Sequence, residues 1–383
     1  MRVLTAKNVR HGAVVTSFAL VVALSGAGVS SSSAAQSPEK SPEPVLLTQV
    51  GLSHVLYVLW TVNCTGSRSC YALERSDDGG ETFTRTNAPA IAFARNGQPG
   101  PLYQLDFANA MDGLAVVQSK SAQASLYVTF NGGETWQRDV IAPDQRVNSV
   151  ASTPSTFYAV TSTCPAGASR ACPVGQLDSS PVDSMHWTPH ALPIGSKFDS
   201  ALPSITAYGH DVWLTTQEQA EPYKSLLATS YNNGDTFAVR SKPLLSSVVE
   251  AGLTATSSVT LWGVSDQGMM AGNIVFSHDG GATWFYGHGG VSHFGFGTFD
   301  PFSTFAAVFV NYMDGSQKQD VQLLASASSR AVALGRTPSS WVTQLAFVSP
   351  EQGLALGQSG GRYNTLYETS DGAKNWRVAT LAP

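Results

Sequence analysis

Short apolar runs separated by turn residues fill the chain from residue 45 to its end. In the stretch 103–140, runs rich in β-branched and aromatic residues fall at 103–107, 113–118, 125–130 and 135–140, and turn residues lie between them. Outside the N-terminus, no stretch keeps an apolar period of 3.6 residues. The pattern predicts an all-β protein built from units of four strands.

One eight-residue phrase returns at regular intervals and divides this pattern into units. It reads SDDGGETF at 76–83, TFNGGETW at 129–136, SYNNGDTF at 230–237, SHDGGATW at 277–284 and TSDGAKNW at 369–376. Two intervals are about twice the others, and weaker copies fill them, SPVDSMHW at 180–187 and SASSRAVA at 326–333. A second motif, LDFANAMDGLAV at 105–116 and LAFVSPEQGLAL at 345–356, begins 24 residues before its own phrase. Seven units of about 48 residues predict a seven-bladed β-propeller of four-stranded antiparallel blades.

The phrase is predicted to build the scaffold, because catalysis needs one site and every unit carries a copy. Its Asp or Asn accepts hydrogen bonds from the turn, its Gly residues adopt positive φ, and its closing aromatic ring packs between blades. The residues assigned to these roles are Asp78, Asn131, Asn232, Asp279 and Asp371, with the aromatic residues Phe83, Trp136, Trp187, Phe237, Trp284 and Trp376. A repeated calcium site is the alternative, but each phrase offers one or two carboxylates, whereas calcium takes six to eight oxygens.

The phrase resembles the Asp box, also called the BNR repeat, of sialidase-type and sortilin-type propellers. The pairing of the two motifs is most similar to propellers of the photosystem II assembly-factor type. The resemblance covers residues 45–383 and implies the seven-bladed propeller fold, but it implies no single function, because the fold hosts many activities. The Arg-Ile-Pro motif and the Tyr–Glu nucleophile pair of sialidases have no identifiable counterpart in the chain.

The N-terminus predicts export. Basic residues precede an apolar stretch at 13–29, and a small-residue cleavage site precedes Gln36. We therefore expect a secretory signal peptide at 1–35, a Pro-rich linker at 36–44 and the propeller at 45–383, in a secreted protein that is extracellular, periplasmic or held at the cell surface. The alternative is a retained membrane anchor, although the apolar stretch contains serines and glycines and is a poor permanent span.

The four cysteines form two close pairs, Cys64 with Cys70 and Cys164 with Cys172. Both pairs fall between the second and third predicted strands of their units, and export favours disulfide bonds. A zinc site is the alternative, but the two pairs lie about a hundred residues apart on different units.

A ligand is expected at the channel mouth, where loops between second and third strands meet the loops that link blades. The candidates for ligand binding are Arg95, Tyr103, Glu221, Tyr223, His288, His293, Tyr312, Arg362 and Tyr363. His288 and His293 form the sharpest local group, which is a metal or general-base pair or else a structural feature of a Gly-rich loop. Asp106, Asp300 and Glu351 are the carboxylates that a glycosidase would need, and no two of them can be placed together from the sequence.

The sequence predicts a non-catalytic module without cofactor or metal, monomeric, that binds an extracellular protein or glycan. Its net charge is −5 and no cluster of Lys and Arg is present, which excludes a nucleic-acid partner. The alternatives are a sialidase-like glycoside hydrolase and a metal-dependent lyase or hydrolase that uses His288 and His293.

Overall fold

A computed structural model describes most of the chain after residue 41. The described residues are 42–51, 53–64, 68–89, 102–118, 124–142, 145–163, 174–192, 204–218, 221–239, 248–266, 272–286, 296–298, 305–311, 319–325, 331–339, 342–359 and 362–380. They belong to the unit Lys40–Pro383. The predicted signal peptide lies outside them, and the first strand begins at Glu43, inside the predicted linker.

The described residues form β-strands joined by turns, with no helix among them. Five antiparallel four-stranded blades follow one another along the chain: β1 (Glu43–Gln49), β2 (Leu56–Cys64), β3 (Arg68–Ser76) and β4 (Thr84–Thr86); β5 (Leu102–Phe107), β6 (Gly113–Gln118), β7 (Ala124–Thr129) and β8 (Gln137–Asp139); β9 (Gln145–Thr153), β10 (Thr156–Thr163), β11 (Val174–Pro181) and β12 (Thr188–Ala191); β13 (Ser204–Tyr208), β14 (Asp211–Glu218), β15 (Glu221–Ser230) and β16 (Ala238–Val239); β17 (Val248–Ala255), β18 (Leu261–Asp266), β19 (Gly272–Ser277) and β20 (Phe285–Tyr286).

The C-terminal third of the chain departs from this plan. After the three-residue strand β21 (Phe296–Thr298) comes a three-stranded sheet, β22 (Phe305–Asn311), β23 (Gln319–Ala325) and β24 (Ala331–Arg336). The last blade follows, β25 (Val342–Phe347), β26 (Gly353–Ser359), β27 (Arg362–Thr369) and β28 (Arg377–Ala379). The described residues therefore contain six complete four-stranded blades, and the expectation of seven is wrong.

The seventh expected blade is incomplete because its first strand pairs with another sheet. Its expected first strand, β21, pairs in parallel with β25 of the last blade, with Gly297 opposite Leu345, and so leaves its own sheet. The phrase of this unit, SASSRAVA at 326–333, contains neither a glycine nor a closing aromatic ring, whereas every clear copy carries at least one glycine and the ring. β24 pairs with β23 in the same way that β4 pairs with β3 in blade 1, so the strand absent from this sheet is the first one.

Apolar side chains fill the spaces between neighbouring blades. One cluster joins blades 1 and 2, where the rings of Tyr57 and Phe107 stack with centroids 3.8 Å apart. The second strands are buried on both faces, as β10 shows with six consecutive buried residues. Each blade therefore depends on its neighbours to cover its faces, which is the physical reason that blades occur in arrays.

The five clear copies of the phrase fold into the same turn. In the first copy, the Ser76 hydroxyl donates to Asp78 Oδ1 (2.7 Å) and accepts from the Gly80 N–H (2.7 Å), while the Thr82 N–H donates to Asp78 Oδ1 (2.9 Å). Burial acts to raise the pKa of Asp78, but hydrogen bonds from Thr82 and Ser76 outweigh it and lower the pKa to about 2. In the other four copies, the backbone N–H four residues later donates in the same way to the side-chain oxygen of Asn131, Asn232, Asp279 or Asp371. These copies share the hydrogen-bonded turn that a scaffold role predicts, and the role itself stays a prediction.

The closing aromatic rings pack between blades but are half-buried instead of fully buried. Trp136 packs against the cluster that joins blades 1 and 2, and its indole N–H donates to the Asn87 carbonyl at 2.8 Å. Phe83 lies in the cluster that joins the last blade to blade 1. The degenerate copy keeps this role too, because the Trp187 indole N–H donates to Asp139 of blade 2 at 2.6 Å.

The last blade lies directly beside blade 1. The Leu47 N–H donates to Gln344 Oε1 (2.7 Å), and Gln352 Nε2 donates to the Asp78 carbonyl (2.9 Å). These contacts join the two ends of the array, as a closed propeller requires. Within the described ranges, no helix has the length and apolar character needed to cross a bilayer.

Candidate functional site

A central cavity of about 770 Å³ is lined by the first strands of five blades. Its walls come from residues within 48–55, 104–110, 150–154, 205–209 and 254–256. These segments are the ends of β1, β5, β9, β13 and β17 together with the turns that lead into the second strands. The cavity therefore opens at the end of the propeller where first and second strands are joined.

The repeated turns lie at this same end of the propeller. In blade 2, the Gly132 N–H donates to the Met111 carbonyl (2.7 Å), which ties the repeated turn to the turn after β5. In blade 5, the Gly280 N–H donates to the Val259 carbonyl in the same way (2.9 Å). The repeated turns thus hold the turns that form the rim of the central cavity.

Side chains, and not a backbone ladder, connect the first strands around the cavity. Gln104 Nε2 donates to the Val150 carbonyl (2.6 Å), and the Val150 N–H donates to Gln104 Oε1 (3.0 Å). The Ala255 N–H donates to Thr206 Oγ1 (3.2 Å) at the junction of blades 4 and 5. Backbone groups at sheet edges that would otherwise lack partners are thereby satisfied.

Asp106 is the one ionised side chain expected near neutral pH among the described residues that line the cavity. The alternation of β5 turns Leu105 and Phe107 into the cluster with blade 1, and Gln104 and Asp106 to the opposite face, toward blade 3. Burial raises the pKa of Asp106 to about 6, against hydrogen bonds from the Ser152 hydroxyl, the Phe107 N–H and the Ser152 N–H that act to lower it. This carboxylate is costly to ionise, and the described lining places no Lys, Arg or His beside it.

Gln49 is a second polar group with an incomplete environment in the cavity wall. Its side chain is 4% exposed, and its Nε2 donates to the Ser53 carbonyl at 3.1 Å. Its Oε1 has no hydrogen-bond partner among the described residues. The remaining polar lining is mostly neutral hydroxyl groups, and Tyr208 is the one aromatic side chain in the described lining.

A Ser–His–Asp arrangement lies outside the central cavity, between blades 3 and 4. The Ser179 hydroxyl is 2.7 Å from His190 Nε2, and His190 Nδ1 is 3.3 Å from Asp235 Oδ1. In a hydrolytic triad the carboxylate is buried, whereas the Asp235 side chain is 64% exposed. None of the three residues lines the central cavity. The group links the outer strand of blade 3 to the repeated turn of blade 4.

The side chains of all nine predicted ligand-binding residues lie outside the described residues. For Tyr103, Glu221, Tyr223, Arg362 and Tyr363 the backbone is described, and the register places Glu221 opposite Glu218 and Arg362 opposite Ser359. These pairs stand at the turns between second and third strands, at the end of the propeller opposite the central cavity. Arg95, His288, His293 and Tyr312 are not described, so the predicted mouth and the predicted histidine pair stay predictions.

The predicted disulfide pairs and the candidate carboxylates also lie partly inside and partly outside the described residues. The side chains of Cys64, Cys164 and Cys172 are outside the described residues, so both disulfide pairings stay predictions. Of the candidate carboxylates, Asp106 lines the cavity, Glu351 is exposed in a turn of the last blade, and Asp300 is not described. Across the described part of the chain, no three His, Cys, Asp or Glu side chains are grouped to hold a metal ion.

Sequence reasoning missed the central cavity as a site. Its lining comes from strands spread over residues 48–256, and its polar residues look like ordinary strand alternation. Asp106 carried one usable signal, because it is a carboxylate at a position where the related motif at 345–356 has Ala346.

Comparisons with known proteins support the fold. Neither a protein-family model nor a curated protein sequence matches the chain. Among solved structures, YCF48 from Cyanidioschyzon merolae superposes with a TM-score of 0.50 and 13% identity, over 73% of this chain and 84% of that one. A puromycin hydrolase superposes with a TM-score of 0.59 and 14% identity, over 90% of this chain and 55% of the hydrolase. A puromycin-hydrolyzing peptidase from Mycobacterium tuberculosis gives 0.56 and 13%, over 88% and 53%.

This chain spans about half the length of the two peptidases. At these identities the likeness shows a β-propeller fold and nothing about activity. The resemblance of the repeated phrase to Asp-box propellers stays a resemblance of sequence motifs.

Proposed function

We propose that this protein is a secreted, non-catalytic propeller that binds a segment of a partner protein in the central cavity. The observation that carries the proposal is the cavity itself, which is large and central and whose described lining consists of neutral polar and apolar groups with a single carboxylate. A volume of about 770 Å³ lies within the range of ligand pockets, roughly 300–1,000 Å³.

A protein segment suits the lining better than a glycan does. In blades 1 to 5, the first strand is the edge of its sheet, and its end lines the cavity. Extended peptides are commonly recognised through such strand edges. Ring-stacking contacts for a sugar are limited to Tyr208 in the described lining.

A glycoside hydrolase receives less support from the same residues. Such enzymes act with two carboxylates that flank the scissile bond, and the described lining contains Asp106 alone. The proposal therefore assigns no catalytic residue. Export belongs to the proposal as well and is tested by locating the protein outside the cytoplasm and sequencing its mature N-terminus.

Blocking the cavity tests the proposal directly. The full chain, a Thr254→Trp variant that fills the cavity, and a Val140→Trp control on an exposed outer position would be screened on a random peptide display library, a glycan array and fluorogenic glycosides. We expect peptide binding that is kept by the control and lost in Thr254→Trp, with no glycoside turnover. Turnover lost in Thr254→Trp, or glycan binding without peptide binding, would contradict the proposal, as would the absence of any peptide binding.

A further inference from the structure

The wall of the central cavity holds a buried acceptor without a hydrogen-bond partner among the described residues, Gln49 Oε1, and a hydrogen-bonded carboxylate without a cationic partner in the described lining, Asp106. They lie on blades 1 and 2, which are adjacent, and both line the same cavity. The inference drawn from them rests on the proposed function, because it takes the cavity to be the binding site and asks which chemical group enters it.

Gln49 differs from the two glutamines whose side chains bridge neighbouring first strands, and Gln145, whose buried Oε1 also has no partner among the described residues, does not line the cavity. Both side-chain polar atoms of Gln104 are bonded to Val150, and Gln344 Oε1 accepts from the Leu47 N–H. Gln49 Nε2 donates to the Ser53 carbonyl, while its buried Oε1 has no hydrogen-bond partner among the described residues. A buried acceptor without a donor is unfavourable, so this site in the wall is suited to a donor that a ligand brings.

Asp106 adds a negative charge to the same wall. Hydrogen bonds from Ser152 orient the carboxylate, yet no cationic side chain of the described lining offsets its charge. Burial raises its pKa to about 6, so the group is mainly ionised at neutral pH although ionisation is costly there. A charged donor is the group that gains most from such a carboxylate, because charge-assisted hydrogen bonds are about twice as strong as neutral ones.

We propose that the partner segment inserts a Lys or Arg side chain into the central cavity, with Asp106 as its counter-ion and Gln49 Oε1 as a further acceptor. The cationic N–H groups supply donors to both residues. The cavity, at about 770 Å³, has the size of a site for a drug-sized ligand. A single small amine would leave much of that space unfilled, whereas several residues of a peptide would occupy it.

The test uses peptides that differ at one position. Full-length protein would be titrated with random-sequence nonapeptide pools whose central residue is fixed as Lys, Arg, norleucine or Glu, and separately with n-butylamine and spermidine. We expect the Lys and Arg pools to bind at least about tenfold more tightly than the norleucine pool, as a charge-assisted hydrogen bond provides. The Glu pool should bind most weakly, and the free amines much more weakly than the Lys pool.

Three variants locate the effect. Asp106→Asn should remove the preference for Lys and Arg, and Gln49→Leu should weaken binding of those pools several-fold by deleting the acceptor. Asp183→Asn makes the same charge change on an exposed turn outside the cavity and should alter nothing.

The outcomes separate this inference from the proposed function. Peptides that bind without regard to the central residue, and still lose binding in Thr254→Trp, would overturn the basic-residue inference and leave the binding cavity standing. Free amines that bind as tightly as the peptides would overturn the protein segment as the source of the cation. If no peptide pool binds the wild-type protein, the result would contradict the proposed function itself.

Discussion

Replacing Asp106 by Asn should make the protein more stable at neutral and higher pH. Burial raises the pKa of Asp106 from 3.8 to about 6, so the folded protein favours the protonated acid more than the unfolded chain does. The stability that the protonated form contributes is complete below about pH 4 and is lost as the pH rises through about 6. An amide at this position avoids that loss because it never ionises.

The size of the gain follows from the two pKa values. They differ by about 2, and each unit corresponds to about 1.4 kcal/mol, which gives roughly 3 kcal/mol at most. An Asn can still accept hydrogen bonds from Ser152, but its NH2 group then needs acceptors of its own, which costs about 1 kcal/mol. We therefore expect Asp106→Asn to raise the free energy of unfolding by about 2 kcal/mol at pH 8 and to lower it by up to about 1 kcal/mol at pH 4, where little of the ionisation penalty remains.

Urea titrations of the wild type and Asp106→Asn at pH 4, 5, 6, 7 and 8 measure this difference. The gain should grow between pH 4 and pH 6 and stay constant above that range, and at pH 8 the melting temperature should rise by about 3 °C. Asp183→Asn, on an exposed turn, should stay within about 0.5 kcal/mol of the wild type throughout. A variant that is less stable than the wild type at pH 8, or a gain that does not change with pH, would refute the argument from ionisation.

Three pairs of substitutions test the scaffold by urea or thermal unfolding. Trp136→Ala should lower the free energy of unfolding by about 2–3 kcal/mol, less than the 3–5 kcal/mol of a fully buried ring, and Trp136→Phe by about 1 kcal/mol through loss of the indole hydrogen bond; an unchanged melting temperature would contradict its packing between blades. Gly335→Ala should lower the free energy of unfolding by several kcal/mol, because the added Cβ would lie 2.0 Å from the Ala373 carbonyl oxygen of the last blade. Gly175→Ala is the control and should leave stability nearly unchanged, since its added Cβ would have its nearest atom at 3.6 Å. Equal losses of stability in the two variants would refute the clash. Asp78→Ala should lower stability by about 1 kcal/mol at pH 7, and Asp78→Asn should be nearly neutral, since Asn131 makes the same backbone bond in the second copy; equal losses in both would count against the shared turn.

The sequence predicted the repeated parts of the fold because those parts are determined locally. The turn around Asp78 is held by hydrogen bonds from residues two to four positions away, so the eight-residue phrase determines nearly all of its conformation. The strands of the second unit were likewise predicted to within a few residues, and the second of them, at 113–118, matches β6 in both bounds. Packing of the closing rings between blades was predictable for a similar reason, since every unit needs cover from its neighbour.

The sequence could not predict the features that depend on distant parts of the chain. The parallel pairing of β21 with β25 joins strands more than 40 residues apart and competes with the expected antiparallel pairing to β22. The cavity is assembled from five first strands, and no spacing within any one unit marks Asp106 or Gln49 as neighbours in space. The degenerate phrase at 326–333 gave a local signal only through its missing closing ring, because the phrase at 180–187 also has no glycine and belongs to a complete blade.

The repeated turns and the central cavity are nevertheless connected, although the turns supply no side chain to the described lining. The Ala110 carbonyl, on the cavity rim, accepts from the Tyr57 hydroxyl (3.0 Å) and from Arg75 Nη1 (2.9 Å), and both donors belong to blade 1. The Gly132 N–H of the repeated turn fixes the next residue, through the Met111 carbonyl. The rim of blade 2 is thus held from two blades at once, close to the strand that carries Asp106. A rigid rim keeps the ionised Asp106 carboxylate in position. The packing and turn bonds that repeat from blade to blade supply the stability that offsets the unfavourable burial of its charge.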